Sequence, residues 1–308
     1  MNRPCLNAVL ACGLLTLMAA PAAISALQTT SEPYEIPATL DETVLAPLRE
    51  VLGTSGNLRA LIGTTASFEQ NLVLQPLLSG VPHAVPGIHP LGLPAPDGDS
   101  LVVVTLMPFA AMTGARVEDY RVGRWPTRGL ATSNPRYAPP PGFISVTLAN
   151  ESTLVSKRFL LRDFLTHDQH NVWPKVLVLE VNLLDKLELI GNELERQGLP
   201  SHLHILSGFR TPQYNAKGAG AKGGRARESR HMYGDAADVI VDANRDGRMD
   251  DLDGDGRSTL RDARVLYAVV EVVEAQHPNL VGGMSAYPAN SAHQAFVHVD
   301  TRGVRARW

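Results

Sequence analysis

The chain has 308 residues, of which 44% are hydrophobic, and its formal net charge at pH 7 is −3. This length and apolar content are enough for one large hydrophobic core or two modest ones. The near balance of charge argues against a nucleic-acid-binding protein, which would carry a clear positive excess.

Residues 1–26 are typical of a secretory signal peptide. Arg3 supplies the positive charge, residues 8–20 form the apolar stretch, and residues 20–25 offer small-residue cleavage sites. The apolar stretch is too short and too rich in alanine for a membrane span. We therefore predict a periplasmic protein, or one secreted to the cell envelope, with no membrane span after removal of the signal.

Both cysteines, Cys5 and Cys12, lie inside this predicted signal. The mature protein would therefore contain no disulfide, although it is exported. It would also offer no thiolate to a metal, which leaves histidine and carboxylate ligands. Zinc suits such nitrogen and oxygen ligands.

Residues 27–98 are the least informative part, and we predict a poorly defined helical and proline-rich region. Asp41 can cap a short helix that ends at Gly53. A second amphipathic segment is predicted over residues 66–78. Five prolines between residues 82 and 96 predict a stiff linker without a helix or strand of its own.

Residues 99–142 are predicted to form a small β-rich region and a second linker. The run over residues 101–106 is rich in β-branched residues. Prolines between residues 135 and 141 then interrupt the chain. We therefore place the start of the C-terminal domain at residue 143.

The C-terminal domain, residues 143–308, has the clearest periodic patterns. A strand is predicted over residues 143–148 and another over residues 203–206. Between them a helix is predicted from Lys175 to Gln197, because apolar residues recur there at spacings of three and four. A long helix followed by strands indicates an α+β fold with a mostly antiparallel sheet flanked by helices, preceded by a smaller N-terminal region.

A histidine and an aspartate lie seven positions apart at His231 and Asp238, with Gly234 between them. The glycine permits a tight turn, and the apolar run after Asp238 predicts a buried strand. Such a turn can fold the histidine back onto the aspartate. Imidazole and carboxylate are two of the three protein ligands of a typical catalytic zinc site, which leaves a fourth position for water.

The last residues of the chain offer a third ligand, in the run Phe296-Val297-His298-Val299-Asp300. Since side chains alternate along a strand, Phe296, His298 and Asp300 share one face. Taken singly, each candidate ligand has an ordinary structural interpretation, such as a capping or core histidine. Together with Arg210 of the run Ser-Gly-Phe-Arg, they favour a metal site.

The segments SGFRTPQYN, SRHMYGDAAD and HVD, followed by VRARW, resemble the zinc D-Ala-D-Ala carboxypeptidase and murein endopeptidase family, in particular its periplasmic, peptidoglycan-cleaving branch. The resemblance covers about residues 143–308. It implies that His231, Asp238 and His298 bind a catalytic zinc ion and that Arg210 lies in the substrate cleft. The implied substrate is a peptidoglycan peptide.

The predicted function is a zinc-dependent peptidase that hydrolyses peptide stems or cross-links of peptidoglycan. A bound zinc ion lowers the pKa of its water from about 16 towards about 7, so that hydroxide can attack a peptide carbonyl at neutral pH. Arg210 is the expected partner of a substrate carboxylate, because its planar fork bonds such groups bidentately. The alternative is a non-catalytic, metal-stabilised cell-wall-binding protein.

The general base is the least defined part of the predicted site. Several members of the broader family carry an acidic residue three positions before the last zinc ligand, where this chain has Ala295. Asp300 is the favoured catalytic base, but it could instead accept a hydrogen bond that orients an imidazole. His293 is a third candidate. Loss of the usual acidic residue favours the non-catalytic alternative.

A structural calcium site is predicted directly after the buried strand that follows Asp238, as an insert at residues 242–262. The spacing is that of an EF-hand loop, with glycine at position six, although position twelve holds aspartate where glutamate is usual. The predicted ligands are the side chains of Asp242, Asn244, Asp246, Asp250 and Asp253 and the backbone carbonyl of Arg248.

A second, overlapping acidic set consists of Asp251, Asp253 and Asp255, with Gly256 at its sixth position. It is the poorer loop, because it lacks the apolar residue usual after the seventh position. The alternative for the whole insert is an acidic, solvated turn. A helix is predicted from Thr259 onward, at the exit of the loop.

Overall fold

The computed structural model describes residues 42–129, 133–220 and 224–308. The predicted signal peptide and the predicted cap Asp41 lie outside these residues. All described residues fall in one unit of contacts, Ile36–Trp308. None of the helices described is both long and apolar enough to cross a membrane.

Three short helices begin the described chain: α1 (Glu42–Leu52), α2 (Thr65–Gln70) and α3 (Gln75–Leu78). Helix α1 ends at Gly53, whose φ of 71° suits the left-handed conformation after a helix. Helices α2 and α3 replace the single segment predicted over residues 66–78. Asn71 separates them, because its side chain accepts hydrogen bonds from the backbone N–H groups of Val73 and Leu74.

A three-stranded sheet accompanies these helices, in the order β1 (Ala60–Gly63), β3 (Ser100–Thr105) and β2 (Gly87–Pro94). Strand β3 confirms the strand predicted over residues 101–106. Strand β2 shows that the prediction of a linker without secondary structure over residues 82–96 was wrong. Its prolines are tolerated because β2 is an edge strand, and its pairing is interrupted between Pro90 and Pro94.

The middle of the chain forms a second three-stranded sheet and a two-stranded hairpin. The sheet has the order β4 (Met107–Pro108), β7 (Gly142–Val146) and β8 (Lys175–Leu177), and the hairpin pairs β5 (Arg116–Val117) with β6 (Tyr120–Arg121). Strand β7 confirms the strand predicted from residue 143. Strand β8 corrects the predicted start of the long helix at Lys175. The buried run Lys175–Leu177 pairs with β7, and the helix begins six residues later at Val181.

The sheet that carries the candidate site has five strands in the order β13-β11-β12-β10-β9. Their ranges are β9 (Leu203–Ser207), β10 (Ala236–Val241), β11 (Gly283–Tyr287), β12 (Phe296–Asp300) and β13 (Ala306–Arg307). Every neighbouring pair is antiparallel except β11 with β13. The predicted α+β fold with a mostly antiparallel sheet is confirmed.

Helices cover one face of this sheet. α6 (Leu260–Gln276) packs on β10, β11 and β12, and α4 (Val181–Arg196) packs on α6. A further short helix, α5 (Pro212–Lys217), follows β9. Helix α6 begins after Thr259, whose side chain accepts a hydrogen bond from the N–H of Arg261, so the helix predicted there is confirmed.

The apolar side chains form two clusters. The main cluster extends from Leu58 to Val299 and includes the helix-facing residues of the large sheet. A smaller cluster is drawn from residues 48–103. Because Leu58, Ala60 and Val104 belong to the main cluster, the two parts of the chain share a core. The predicted boundaries after residues 98 and 142 stay predictions.

Candidate metal centre

Four strands of the large sheet place polar side chains in one row. Asp238 on β10 pairs with Ser207 on β9 and with His298 on β12, and His298 pairs with Ser285 on β11. Directly paired residues project from the same face of a sheet. The adjacent Val239 and Val297 project from the other face, where α6 packs. The row therefore lies on the face opposite helix α6.

An irregularity in β9 helps to align this row. The pairing shifts between Asp238 and Val239, so that Ser207 opposes Asp238 while Ile205 opposes Val239. Leu206 is thus the extra residue of a β-bulge, a feature that re-aims side chains beside active sites. The bulge lets Ser207 join the polar row without moving Ile205 from the buried face.

His231 reaches the same row from the 3₁₀ turn Arg230–Tyr233. Gly234 ends this turn with a φ of 74°, and a Cβ on it would lie 2.4 Å from the carbonyl oxygen of Val178. Glycine alone suits both the conformation and the space. The tight turn predicted between His231 and Asp238 is therefore present, and its glycine is required.

Three potential ligand atoms converge at this point. His231 Nε2 lies 3.2 Å from His298 Nδ1 and 3.3 Å from Asp238 Oδ1. His298 Nδ1 lies 2.9 Å from the same oxygen. A tetrahedral site with ligand distances of about 2.0 Å has edges of about 3.3 Å, close to these separations. A zinc ion fits this set of donors.

Outer hydrogen bonds determine which ring nitrogens face the site. His231 Nδ1–H donates to the carbonyl oxygen of Gly208 over 2.7 Å, and His298 Nε2–H donates to Asp300 Oδ2 over 3.3 Å. In neutral rings the remaining nitrogens then carry lone pairs. Two lone pairs and a carboxylate oxygen so close together repel one another unless a cation lies between them. Such outer acceptors are characteristic of zinc-binding histidines.

The protonation of the two histidines is consistent with metal binding. Burial lowers the pKa of His231 to about 4, so the ring is neutral at physiological pH. Burial acts in the same direction on His298, but hydrogen bonds with Asp238 and Asp300 raise its pKa above the ordinary value. A histidine ligand must be neutral, and a cation in the site would itself displace the proton from His298.

Arg210 contacts the ligand set directly. Its Nε–H donates to Ser207 Oγ over 2.8 Å, and a terminal nitrogen pairs with Asp238 Oδ2. Asp238 thus offers Oδ1 to the centre and gives its other oxygen to Arg210. The predicted bidentate contact of Arg210 with a substrate carboxylate would require the guanidinium to leave Ser207 and Asp238.

Asp300 is fully buried and surrounded by donors. Besides His298, it accepts the N–H of Gly283 over 2.7 Å and both the backbone N–H and the guanidinium of Arg302. Burial alone would raise the pKa of Asp300. Hydrogen bonds from His298 and Arg302 nevertheless hold this pKa far below its usual value. Such a carboxylate is a poor proton acceptor. The geometry favours the orienting role over the role of base.

A comparison with known protein families agrees with this geometry. Residues 147–251 match the model of the family described as peptidoglycan L,D-endopeptidase MepK. The resemblance to the zinc murein endopeptidase family is confirmed. The matched stretch contains Arg210, His231 and Asp238 but ends before His298, which the sheet register brings to them. No curated protein and no solved structure matches the chain.

The other candidate base, His293, lies in the loop between β11 and β12. Its Nδ1 lies 2.8 Å from the carbonyl oxygen of Gln294, and its Nε2 lies 2.7 Å from Asn290 Nδ2. Its ring stands edge-on to Phe296. Both ring nitrogens are therefore engaged within the loop. Ala295, at the position of the family's usual acidic residue, is buried.

The predicted calcium loop forms a series of turns closed by its own side chains. Asp242 accepts the N–H groups of Asp246 and Gly247, and Asn244 also accepts that of Asp246. The N–H of Arg248 donates to Asp246, and Asp250 accepts the N–H of Ala243. The side-chain oxygens are thus partly satisfied without an ion.

Asp253 was predicted both as position twelve of the EF-hand loop and as a member of the second acidic set. In the structure it lies with the second set. Ligand oxygens of Asp251, Asp253 and Asp255 lie within 4.8 Å of one another, and all three residues are exposed. The set that seemed poorer in sequence is therefore the one whose carboxylates are grouped. Exposed acidic groups are common without an ion, so calcium stays a prediction.

Three residues contact the centre although the sequence analysis assigns them no role. Ser207 holds Arg210, Arg302 holds Asp300, and Trp308 places its ring 5.5 Å from that of His298. Ser207 and Trp308 do belong to the motifs that carry the family resemblance, so that resemblance was the available signal. Nothing in the sequence pattern pairs Arg302 with Asp300, because their contact depends on a turn after β12.

Proposed function

We propose that this protein is a zinc-dependent peptidase that hydrolyses peptide stems or cross-links of peptidoglycan. The observation that carries the proposal is the convergence of His231 Nε2, Asp238 Oδ1 and His298 Nδ1 on one point. Three protein ligands leave a coordination position for water, as in catalytic zinc sites. The family match supplies the substrate, since the family is described as acting on peptidoglycan.

The protein's own side chains would hold and orient the metal. His231, Asp238 and His298 would bind the zinc ion, which when bound lowers the pKa of water to about 7 and polarises a peptide carbonyl. Gly208 and Asp300 fix the orientation of the two imidazoles through their outer nitrogens. Arg302 keeps Asp300 ionised, so that the hydrogen bond with His298 persists.

The decisive experiment is incubation of the purified mature protein with muropeptides, with and without a chelator. We expect hydrolysis that the chelator stops and added zinc restores. Mass spectrometry of the products identifies the bond. Release of a terminal D-alanine indicates a carboxypeptidase, and conversion of cross-linked dimers into monomers indicates an endopeptidase, the type that the family description favours.

The alternative function is a metal-stabilised cell-wall-binding protein without catalysis. Ala295 at the usual acidic position and the enclosed Asp300 favour this alternative. Zinc-loaded protein that cosediments with peptidoglycan but hydrolyses no muropeptide would support it. Chelation would then reduce thermal stability without changing the muropeptide profile.

We place the protein in the periplasm or at the cell envelope. This proposal rests on the predicted signal at residues 1–26 and on peptidoglycan as the substrate. Fractionation of cells that express the full chain tests it, because the mature protein should leave the cytoplasm and lose the signal. Mass spectrometry of the exported form should show a new N-terminus between residues 20 and 27.

Replacing Arg210 by lysine should lower kcat/KM on muropeptides by roughly ten- to hundredfold. Lysine keeps the charge, but its single ammonium cannot reproduce the fork between Ser207 and Asp238. A hydrogen bond to a charged group is worth about 1.5–3 kcal/mol, which corresponds to this range. Zinc content should stay near one equivalent, since a cation remains beside Asp238.

The matched control for this prediction is Arg264→Lys, at an exposed position of helix α6. It should have the activity of the wild type. If Arg210→Lys is equally active, Arg210 serves the fold alone and contributes nothing to turnover.

Calcium should raise the thermal midpoint of the mature protein if the insert at residues 242–262 binds it. Carboxylates crowded into one segment repel one another, and a divalent cation would relieve this repulsion. Asp246→Ala should remove the rise while zinc stays bound. Asp255→Ala tests the second acidic set in the same way. A melting curve indifferent to calcium in the wild type would show that the insert is an acidic turn.

A further inference from the structure

Aromatic side chains continue the site face of the sheet beyond His298. Tyr287 on β11 pairs with Phe296 on β12, and their rings stack with centroids 4.8 Å apart at an angle of 15°. Trp308 lies between this pair and the centre. Its Nε1–H donates to Tyr287 Oη over 2.5 Å, and its ring lies 5.5 Å from that of His298. We call Tyr287, Phe296 and Trp308 the aromatic wall.

The wall is held firmly in place. Ser285 Oγ–H donates to the carbonyl oxygen of Trp308 over 2.5 Å, and β13, directly before Trp308, pairs with β11. Arg307 of β13 pairs with Glu271 and Glu274 on helix α6. An aromatic ring fixed before binding loses little conformational entropy when a ligand covers it. The wall is therefore preorganised.

Much of Trp308 is open to solvent among the described residues. Trp308 as a whole residue is 56% exposed, whereas Trp125 is buried and donates its Nε1–H to the carbonyl oxygen of Met232. Tyr287 and Phe296 are half-buried. A large apolar ring that is fixed, exposed and adjacent to a metal ligand is a surface suited to a ligand.

Charge and position define the ligand. Arg302 lies 5.3 Å from the centre of the Trp308 ring, but its charge is paired with that of Asp300, and the rings themselves offer an apolar surface. Because the Trp308 ring lies 5.5 Å from that of His298, a group packed on Trp308 lies within about one residue of the bond held at the centre. In peptidoglycan such a group is a side chain of the stem peptide, since the sugar is joined to the far end of the stem.

We propose that the aromatic wall is the subsite for the aliphatic side chain of the stem-peptide residue next to the scissile bond. Trp308 is then a specificity-determining residue. The proposal rests on the proposed peptidase function. Trp308 also covers the hydrogen bonds that join His298, Asp300 and Arg302, so a purely structural role must be separated from substrate recognition.

The test uses synthetic stem peptides in pairs that differ only in one residue next to the scissile bond, alanine or glycine. The zinc-loaded wild type should prefer alanine by roughly tenfold in kcat/KM, the lower end of what one methyl or methylene group contributes in an apolar pocket. Trp308→Ala should reduce this preference to about one, mainly through KM, with zinc near one equivalent. Leu72→Ala removes another exposed apolar residue, in the turn between helices α2 and α3, and should change nothing.

Two kinetic results would overturn the proposal. The first is an unchanged preference in Trp308→Ala. The second is an equal loss on both peptides that follows a loss of zinc, which would show that Trp308 only covers the His298–Asp300 hydrogen bond. A preference restored by Trp308→Phe, which keeps an apolar ring, would support a packing surface.

A binding measurement separates failure of this proposal from failure of the proposed function. Titration with the alanine-containing product peptide should change the tryptophan emission of the wild type but not that of Trp308→Phe. If the peptide produces this change and no peptide is hydrolysed, the subsite proposal is supported and the peptidase proposal is refuted. If hydrolysis occurs without the change in emission, the subsite proposal is refuted. The same change with an N-acetylglucosamine oligomer would overturn the peptide as ligand.

Discussion

Replacing His231 by alanine should remove zinc from the mature protein and abolish peptidoglycan hydrolysis. His231 supplies one of three converging donor atoms, and its ring is fixed by the carbonyl oxygen of Gly208. The remaining aspartate and histidine would leave a two-ligand site, whereas catalytic zinc sites have three protein ligands. Without the metal, the pKa of the attacking water returns from about 7 to about 16, so the rate should fall to that of the chelated wild type.

Elemental analysis measures the first part of this expectation. The wild type should contain near one equivalent of zinc and His231→Ala almost none. His89→Ala is the matched control, because it removes an imidazole from β2 in the first sheet. It should retain both zinc and activity. Full zinc occupancy in His231→Ala would falsify the ligand assignment.

The convergence of His231, Asp238 and His298 could be predicted because local rules and the family resemblance agreed. The turn at Gly234 follows from glycine's conformational freedom, and the face shared by His298 and Asp300 follows from the period of a strand. The sheet register then had to place β12 beside β10, which local sequence does not specify. The order of the motifs in the resembling family supplied that information, although the matched stretch ends before His298.

The hydrogen-bond partners of Arg210 and Asp300 could not be predicted, because tertiary contacts determine them. Arg210 was expected to face a substrate, but Ser207 and Asp238 occupy its fork. Asp300 was favoured as a base, but the Gly283 N–H and Arg302 enclose it. In both cases the residue type indicates a charged group at the centre, but the sequence does not indicate which groups that residue bonds.

Errors in secondary structure have similar causes. Prolines over residues 82–96 indicated a linker, yet an edge strand has no partner for the missing N–H. The prediction of a helix start at Lys175 rests on Pro174, since proline is favoured in the first turn of a helix. The pairing of Lys175 through β8 with β7, a contact remote in sequence, determines the strand instead. Boundaries set by long-range pairing are beyond local patterns.

Replacing Asp300 by asparagine should weaken zinc binding by about ten- to hundredfold, the usual effect of losing an outer acceptor. The amide removes the charge that stabilises the His298 hydrogen bond and leaves Arg302 without its carboxylate partner. At saturating zinc, turnover should recover to within a few fold of the wild type. Competition with a zinc-binding dye measures the affinity, and hydrolysis of muropeptides at graded zinc concentrations measures the recovery.

The matched control is Asp97→Asn, which breaks another pair between a buried arginine and a carboxylate, Arg59 with Asp97, beside the first sheet. It should lower stability and leave zinc affinity unchanged. If Asp300 were the general base, its loss would instead lower the rate by about a hundredfold or more even at saturating zinc, the usual scale of general acid–base catalysis. If His293→Ala alone stops turnover while zinc stays bound, the base is His293, and its loop must move for the imidazole to reach the substrate.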